Sequence, residues 1–224
     1  MTDPLFGRYR DAELSVLEQD AVRWLDGFYQ LEHLFAAREW AIMLTDGTAS
    51  EALKFAALLH DAERFFPGGP SDTPRSSFDD ADYLFRHSTR SADIVGDWLA
   101  KRPEGVDLAF ARRVRALILR HEIGGDPEED IMQAADSLAF LSTFDWLVVD
   151  WVRKGHYDIA GARAKLDWML ARIRVPAALR LALPIYARTV AALEDPRGMT
   201  VDLALRRRQA GSLSYLTGLA AAVV

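Results

Sequence analysis

Apolar residues recur along this chain at three- and four-residue steps. Leu14, Leu17, Ala21, Trp24, Leu25 and Phe28 form one such stripe, which predicts an amphipathic helix. A second helix is predicted from Leu31 to Leu44, ended by Asp46-Gly47. A third starts at Ser50-Glu51 and runs to Phe65 through the apolar stretch Phe55 to Leu59. Phe66-Pro67-Gly68-Gly69-Pro70 stops it, because Pro lacks the amide hydrogen and Gly carries too much backbone freedom to continue a helix. Residues 67–77 read as a polar loop. Helices follow over Asp79 to Ala100 and Asp107 to Glu122, the second closed by Gly124-Gly125. Asp126-Pro127-Glu128-Glu129 has the cap, the proline and the acids of a helix start, and predicts a helix running to Lys154. Residues 158–173 and 176–194 predict two more, separated by Val175-Pro176, and a final segment follows Pro196-Arg197-Gly198. There is no hairpin signal, internal repeat or low-complexity linker. The expectation is an all-α protein: a helical domain over residues 1–155, and a C-terminal helical extension over 156–224 packing on it.

Length and composition narrow the picture. Half of the 224 residues are hydrophobic and 27% are charged, a balance that supports a substantial core. A formal net charge of -6 and a pI near 5.4 argue against broad nucleic-acid binding, while leaving room for a local basic pocket around a small phosphorylated ligand. The absence of cysteine excludes disulfides, thiolate nucleophiles and Cys-based zinc or iron–sulfur sites. Met1-Thr2-Asp3-Pro4 lacks the features of a signal peptide, and no stretch approaches the roughly 18 apolar residues of a membrane span. A soluble, cytoplasmic protein with no membrane or nucleic-acid partner is expected.

The candidate chemistry lies in an ordered series: His33, His60-Asp61, His87, His121 and Asp136, each inside a stretch predicted as helix. Imidazole and carboxylate are the ligands left to a cysteine-free protein that binds transition metals. A single helical histidine is more often a surface or satisfied core residue; the set as a whole is what points to metal. His60-Asp61 follows a strongly apolar run, and Asp136 sits in the apolar context Gln133 to Leu141. A carboxylate near a core is costly unless it is paired or binds a metal.

On these residues the chain resembles the HD-domain superfamily. The resemblance rests on His33 in Leu31-Glu32-His33, on Ala57-Leu58-Leu59-His60-Asp61-Ala62-Glu63-Arg64, and on Ala134-Ala135-Asp136-Ser137-Leu138. Arg86-His87-Ser88-Thr89-Arg90-Ser91-Ala92 and Arg120-His121-Glu122 resemble the two further histidine segments of the dinuclear members. It covers residues 31 to 141. The resemblance implies that His33, His60, Asp61 and Asp136 bind a first divalent ion, and that Asp61, as a bridge, binds a second with His87 and His121. Manganese, iron, cobalt, magnesium and zinc are the candidate ions. The same residues also allow a single metal, with His87 and His121 contacting substrate.

The commonest activity of similar proteins is metal-dependent hydrolysis of phosphate esters, often of nucleotides, by attack of a metal-bound hydroxide on phosphorus. Asp61, Arg64 and Arg90 are then the candidate catalytic residues. Arg64 lies three residues after Asp61, where many phosphodiesterase members carry a lysine; Arg90 lies about one turn after His87 on the same side. Arg75 in the polar loop is a third cation. Glu63 and Glu122 are candidate general acids, although surface salt bridging is the expected state of both. Two rival readings remain: a diiron oxygenase branch of the same superfamily that cleaves C–H, C–C or C–P bonds, and a non-catalytic module that binds a nucleotide or partner. Tyr29 and Tyr83 would gate an oxygenase pocket, or simply pack. Glu63 stands where phosphodiesterase members often have glycine, and His121-Glu122 replaces their paired histidines. Close membership of the cyclic-dinucleotide group is therefore not expected.

The remaining features carry less. Phe140, Leu141, Phe144, Trp146, Leu147, Val148 and Trp151 read as core, buried on several sides by the C-terminal helices. His156 falls at a helix end and is not taken as a ligand. Arg206-Arg207-Arg208 reads as a solvated face. The mostly apolar tail Leu213 to Val224 either folds back or joins two subunits, and a homodimer is expected.

Overall fold

The computed structural model describes residues 13–72 and 77–194; Arg75, Arg206-Arg207-Arg208 and the Leu213–Val224 tail lie outside the described residues. Among the described residues the chain is all helical, with nine α-helices and no strand. They are α1 (Val16–Trp24), α2 (Leu31–Leu44), α3 (Glu51–Leu59), α4 (Ala81–Ala100), α5 (Leu108–Arg120), α6 (Pro127–Thr143), α7 (Asp145–Arg153), α8 (Ile159–Ala171) and α9 (Pro176–Glu194). Short 3-10 turns at Ala62–Phe65 and Pro70–Asp72 follow α3. No described helix is long and apolar enough to cross a membrane.

Side-chain caps set most of the helix starts. Ser50, Asp80, Asp107 and Asp158 each accept a backbone N–H of the first turn. Ser15 with Glu18, and Asp126 with Glu129, form reciprocal capping boxes, and Pro127 opens α6 as its spacing predicts. Glu18 also takes the buried Arg38 guanidinium, with Nε to Oε1 at 2.6 Å and Nη2 to Oε2 at 3.2 Å, which ties α1 to α2.

Helix α2 is apolar nearly all round, and it is correspondingly central. It lies along α6, the most extensive helix–helix contact among the described residues, and Trp40 Nε1–H donates across that contact to Ser142 Oγ at 3.2 Å. Helices α3, α4 and α5 complete a first apolar core around Phe28, Phe35, Phe55 and Leu117. A second core joins the C-terminal half of α6 to α7, α8 and α9 through Leu138, Phe144, Leu166 and Ala182. Helices α8 and α9 therefore pack on α6.

Two expected helices end early. The third stops at Leu59, and His60 and Asp61 turn into the 3-10 segment in place of continuing to Phe65. The long helix expected to reach Lys154 breaks at Phe144 (φ -106°, ψ 15°) into α6 and α7, with no Gly or Pro at the break.

Candidate metal centre

The break after α3 aims His60 and Asp61 at the first turn of α2 and the middle of α6. His33 Nε2, His60 Nε2 and Asp136 Oδ1 stand at the corners of a near-equilateral triangle: 3.2 Å between the two nitrogens, 3.2 Å from His33 to Asp136 and 3.3 Å from His60 to Asp136. Asp61, His87 and His121 form a second trio of convergent donors. Asp61 Oδ1 is 2.8 Å from His87 Nε2, and its Oδ2 is 4.0 Å from His33 Nε2, so this carboxylate stands between the two trios. His33, His60, His121 and His87 follow one another edge to face, with ring centroids 5.1, 5.0 and 5.3 Å apart. All six residues are buried.

The second ring nitrogens show why these donors suit a cation. His60 Nδ1 lies 2.8 Å from the Ala57 carbonyl, His121 Nδ1 2.7 Å from the Ile118 carbonyl, and His87 Nδ1 2.7 Å from Glu63 Oε2. Each partner is an acceptor, so each Nδ1 carries a hydrogen and each Nε2 is the atom that would turn a lone pair to a bound cation, once any proton it shares with Asp61 or Asp136 is displaced. His121 Nε2 is buried without a hydrogen-bond partner. Glu122 Oε1 lies 3.6 Å from it, beyond hydrogen-bond reach, and a buried imidazole nitrogen so placed among carboxylates suits a metal ion. The triangle edges also match a shared ion, because donors about 2.0–2.2 Å from one cation lie roughly 3 Å apart. His33 differs: its Nδ1 has no partner and its ring stacks on Phe144, centroids 4.7 Å apart.

Electrostatics keep the carboxylates ionised. Burial works against the charge on Asp61, but Arg64 beside it and the His87 hydrogen bond hold its carboxyl well below the usual range. Burial likewise opposes the charge on Asp136 and Glu122, and Arg172 outweighs it for both. For His33, burial and the neighbouring His60 win and push it down. Burial also opposes His60, but Asp136 and Asp61 lift it to about 9.

The other expected residues divide. Arg64 stays at the site: Nε donates to Asp61 Oδ2 at 2.9 Å, and Nη1 to Tyr83 Oη at 3.0 Å and Ser71 Oγ at 3.3 Å. Arg90 does not line the cavity. It clamps the loop after the 3-10 turn, donating to the carbonyls of Pro67 and Gly68 at 2.8 and 2.7 Å. Glu63 and Glu122 are not surface salt bridges. Glu63 is 1% exposed and accepts from His87, from Ser71 Oγ at 2.6 Å and from Ser71 N at 3.1 Å; Glu122 is 8% exposed and pairs with Arg172. Gly68-Gly69 does more than end a helix, since a Cβ on Gly69 would fall 1.9 Å from Glu63 Oε1.

A cavity of about 560 Å³ opens over His33, Asp61 and Asp136. Tyr29 and Tyr83 line it, Tyr83 stacking on His87 at 5.9 Å, and the exposed His156 reaches its wall. Two lining cations come from α8 or its end and were not anticipated: Lys165 and Arg172. Arg172 bonds Asp136 Oδ2, Glu122 Oε2 and, at 2.8 Å, Ser137 Oγ. The available signal was spacing, because Lys165, Met169 and Arg172 fall on one helical face.

Comparison of the chain with family models, with curated proteins and with solved structures gives no match in any of the three. The fold and this buried His/Asp cluster, able to hold metal, therefore stand on the geometry alone.

Proposed function

We propose that the chain is an HD-type, metal-dependent phosphohydrolase acting on a small phosphorylated substrate, with nucleotides the first class to try. One observation carries the reading: two buried trios of His and Asp donors meet at Asp61 beneath a cavity that also holds arginine. Divalent ions held by His33, His60 and Asp136, and by Asp61, His87 and His121, would supply Lewis acidity and water of lowered pKa beside a phosphoryl group.

The protein's own groups do the positioning. Asp61 turns Oδ1 to His87 and Oδ2 to Arg64. Arg64 Nη2 has no hydrogen-bond partner among the described residues, and so offers a charge-assisted hydrogen bond to a phosphoryl oxygen. Glu63 holds the His87 ring through Nδ1, and Arg172 holds Asp136 and Glu122. Although burial opposes it, His87 and Arg172 keep Glu63 and Glu122 below their ordinary pKa, so both serve as acceptors and neither supplies a proton at neutral pH.

The test is phosphate release from a panel of nucleotides and phosphomonoesters. The protein is stripped of metal and reloaded anaerobically with Mn²⁺, Co²⁺, Mg²⁺ or Fe²⁺, with Asp61→Ala as the control. Release that needs metal and vanishes in the variant is expected. No release with any ion, from a protein that purifies with iron and consumes oxygen, would replace this reading with the oxygenase.

A further inference from the structure

The metal centre uses one end of the cavity and engages only Arg172 on the α8 wall. Lys165, Met169 and Arg172 succeed one another along that wall at four- and three-residue steps, so they share a face. Arg172 is committed to Asp136 and Glu122. Lys165 is not committed. It is partly buried, lines the same cavity as His33 and Asp136, and makes no hydrogen bond or ion pair with any described residue. Its ammonium is surrounded by rings: 4.2 Å from the Trp168 centroid, 5.2 Å from Phe140 and 5.4 Å from Phe78. Arg172 Cζ sits on the same Trp168 ring at 4.6 Å.

Ring faces attract a cation but do not replace the hydrogen bonds that an ammonium makes in water. The nearby carboxylates are engaged elsewhere. Asp61 holds Arg64, Asp136 and Glu122 hold Arg172, and Asp72 accepts the Gly68 N–H at 2.7 Å. Burial, together with Arg172 and Arg64 and against Glu122, pushes Lys165 down to about 7. A lysine so placed lacks a counter-charge that a ligand could bring.

We propose that Lys165 anchors a second anionic group of the substrate at the α8 end of the cavity, while the first lies at the metal centre. The substrate is then a bifunctional anion, a phosphoryl group plus a further phosphate or carboxylate. Phe78 and Phe140, which line the cavity, favour a flat or apolar body beside that second group. Which group reacts rests on the phosphohydrolase reading; the anion subsite does not.

The test uses the full chain, stripped of metal so that the donor trios cannot retain the probe. It is titrated calorimetrically with inorganic phosphate and, in a parallel arm, with acetate; the tighter arm tells phosphate from carboxylate. One anion per wild-type chain is expected, with affinity about tenfold or more weaker in Lys165→Met and within about threefold in Lys165→Arg. Equal affinity in Lys165→Met, or no binding of either anion to the wild type, overturns the proposal. A second measurement needs no variant: the bound anion must slow acetylation of Lys165, mapped by mass spectrometry, and leave Lys54, Lys101 and Lys154 unaffected. Absence of that protection also overturns it. Neither measurement involves turnover, so failure here leaves the phosphohydrolase reading standing, and failed phosphate release leaves the subsite standing.

Discussion

His60 and His121 meet edge to face at a ring-centroid separation of 5.0 Å, and they reach that contact by the same local route. Each directly follows the last residue of its helix, α3 or α5, in αR conformation. Each ring Nδ1–H donates to the carbonyl three residues back. A helix end leaves carbonyls without helical partners, and here the imidazole satisfies one while turning its other nitrogen inward. The two then differ. His60 Nε2 faces His33 and Asp136, whereas His121 Nε2 is buried with no hydrogen bond at all.

That difference makes His121 the cleanest probe of the second trio. In His121→Ala, metal content is predicted to fall from about two ions per chain to about one, because the first trio is untouched. Elemental analysis after reconstitution reads this directly. A variant that retains the wild-type content would remove the second trio from the metal-binding set.

Glu63 acts on the same trio from one step further out. Glu63→Gln keeps the size of the side chain but loses the carboxylate that holds His87 Nδ1–H at 2.7 Å. Outer partners of this kind are worth roughly 10- to 100-fold in metal affinity, and a loss in that range is predicted by chelator competition. Gly69→Ala should act in the same direction, because its methyl would land on the Glu63 carboxylate. Unchanged affinity in both variants would mean that His87 needs no such orientation.

The six His and Asp side chains that the fold brings together were visible in the sequence because their signal is local: a histidine or aspartate inside an apolar helical stretch, repeated in order. The general all-α architecture was readable for the same reason, since the helical stripes and caps are short-range patterns. Glu63 was misjudged because its side depends on the turn at His60-Asp61, which replaces the predicted helix with a 3-10 segment. The break at Phe144 had no Gly or Pro to announce it, yet it sets the ring that stacks on His33. Lys165 and Arg172 belong to the cavity only through the packing of α8 on α6, a contact between positions far apart in the chain. Their shared face was visible, but what it faces was not.

Arg172 neutralises two buried carboxylates at once, with its own side chain 9% exposed. Arg172→Met would strand Asp136 and Glu122, and removing one partner of a buried pair costs about 3–5 kcal/mol. Urea denaturation of the metal-free protein should register that loss. Divalent metal should restore part of it, by supplying positive charge to Asp136. A variant as stable as the wild type without metal would show that the two carboxylates are otherwise compensated.

Lys165 gives a pH signature with a definite sign. Its ordinary pKa of 10.5 is lowered to about 7 in the folded protein, chiefly by burial. Below about pH 7 both folded and unfolded chains carry the proton, and the full cost of burying the charge is present. Between about 7 and 10.5 the unfolded chain holds a proton that the folded one lacks, so this group makes stability rise with pH. Lys165→Met removes the charge at every pH. The variant is therefore predicted to be more stable than the wild type near neutrality and below, with the advantage shrinking steadily as the pH approaches 10. Paired urea titrations across that range measure the gap. A gap that stays constant would mean that Lys165 keeps its ordinary pKa in the fold, and so meets a counter-charge or ample water where the geometry offers only rings.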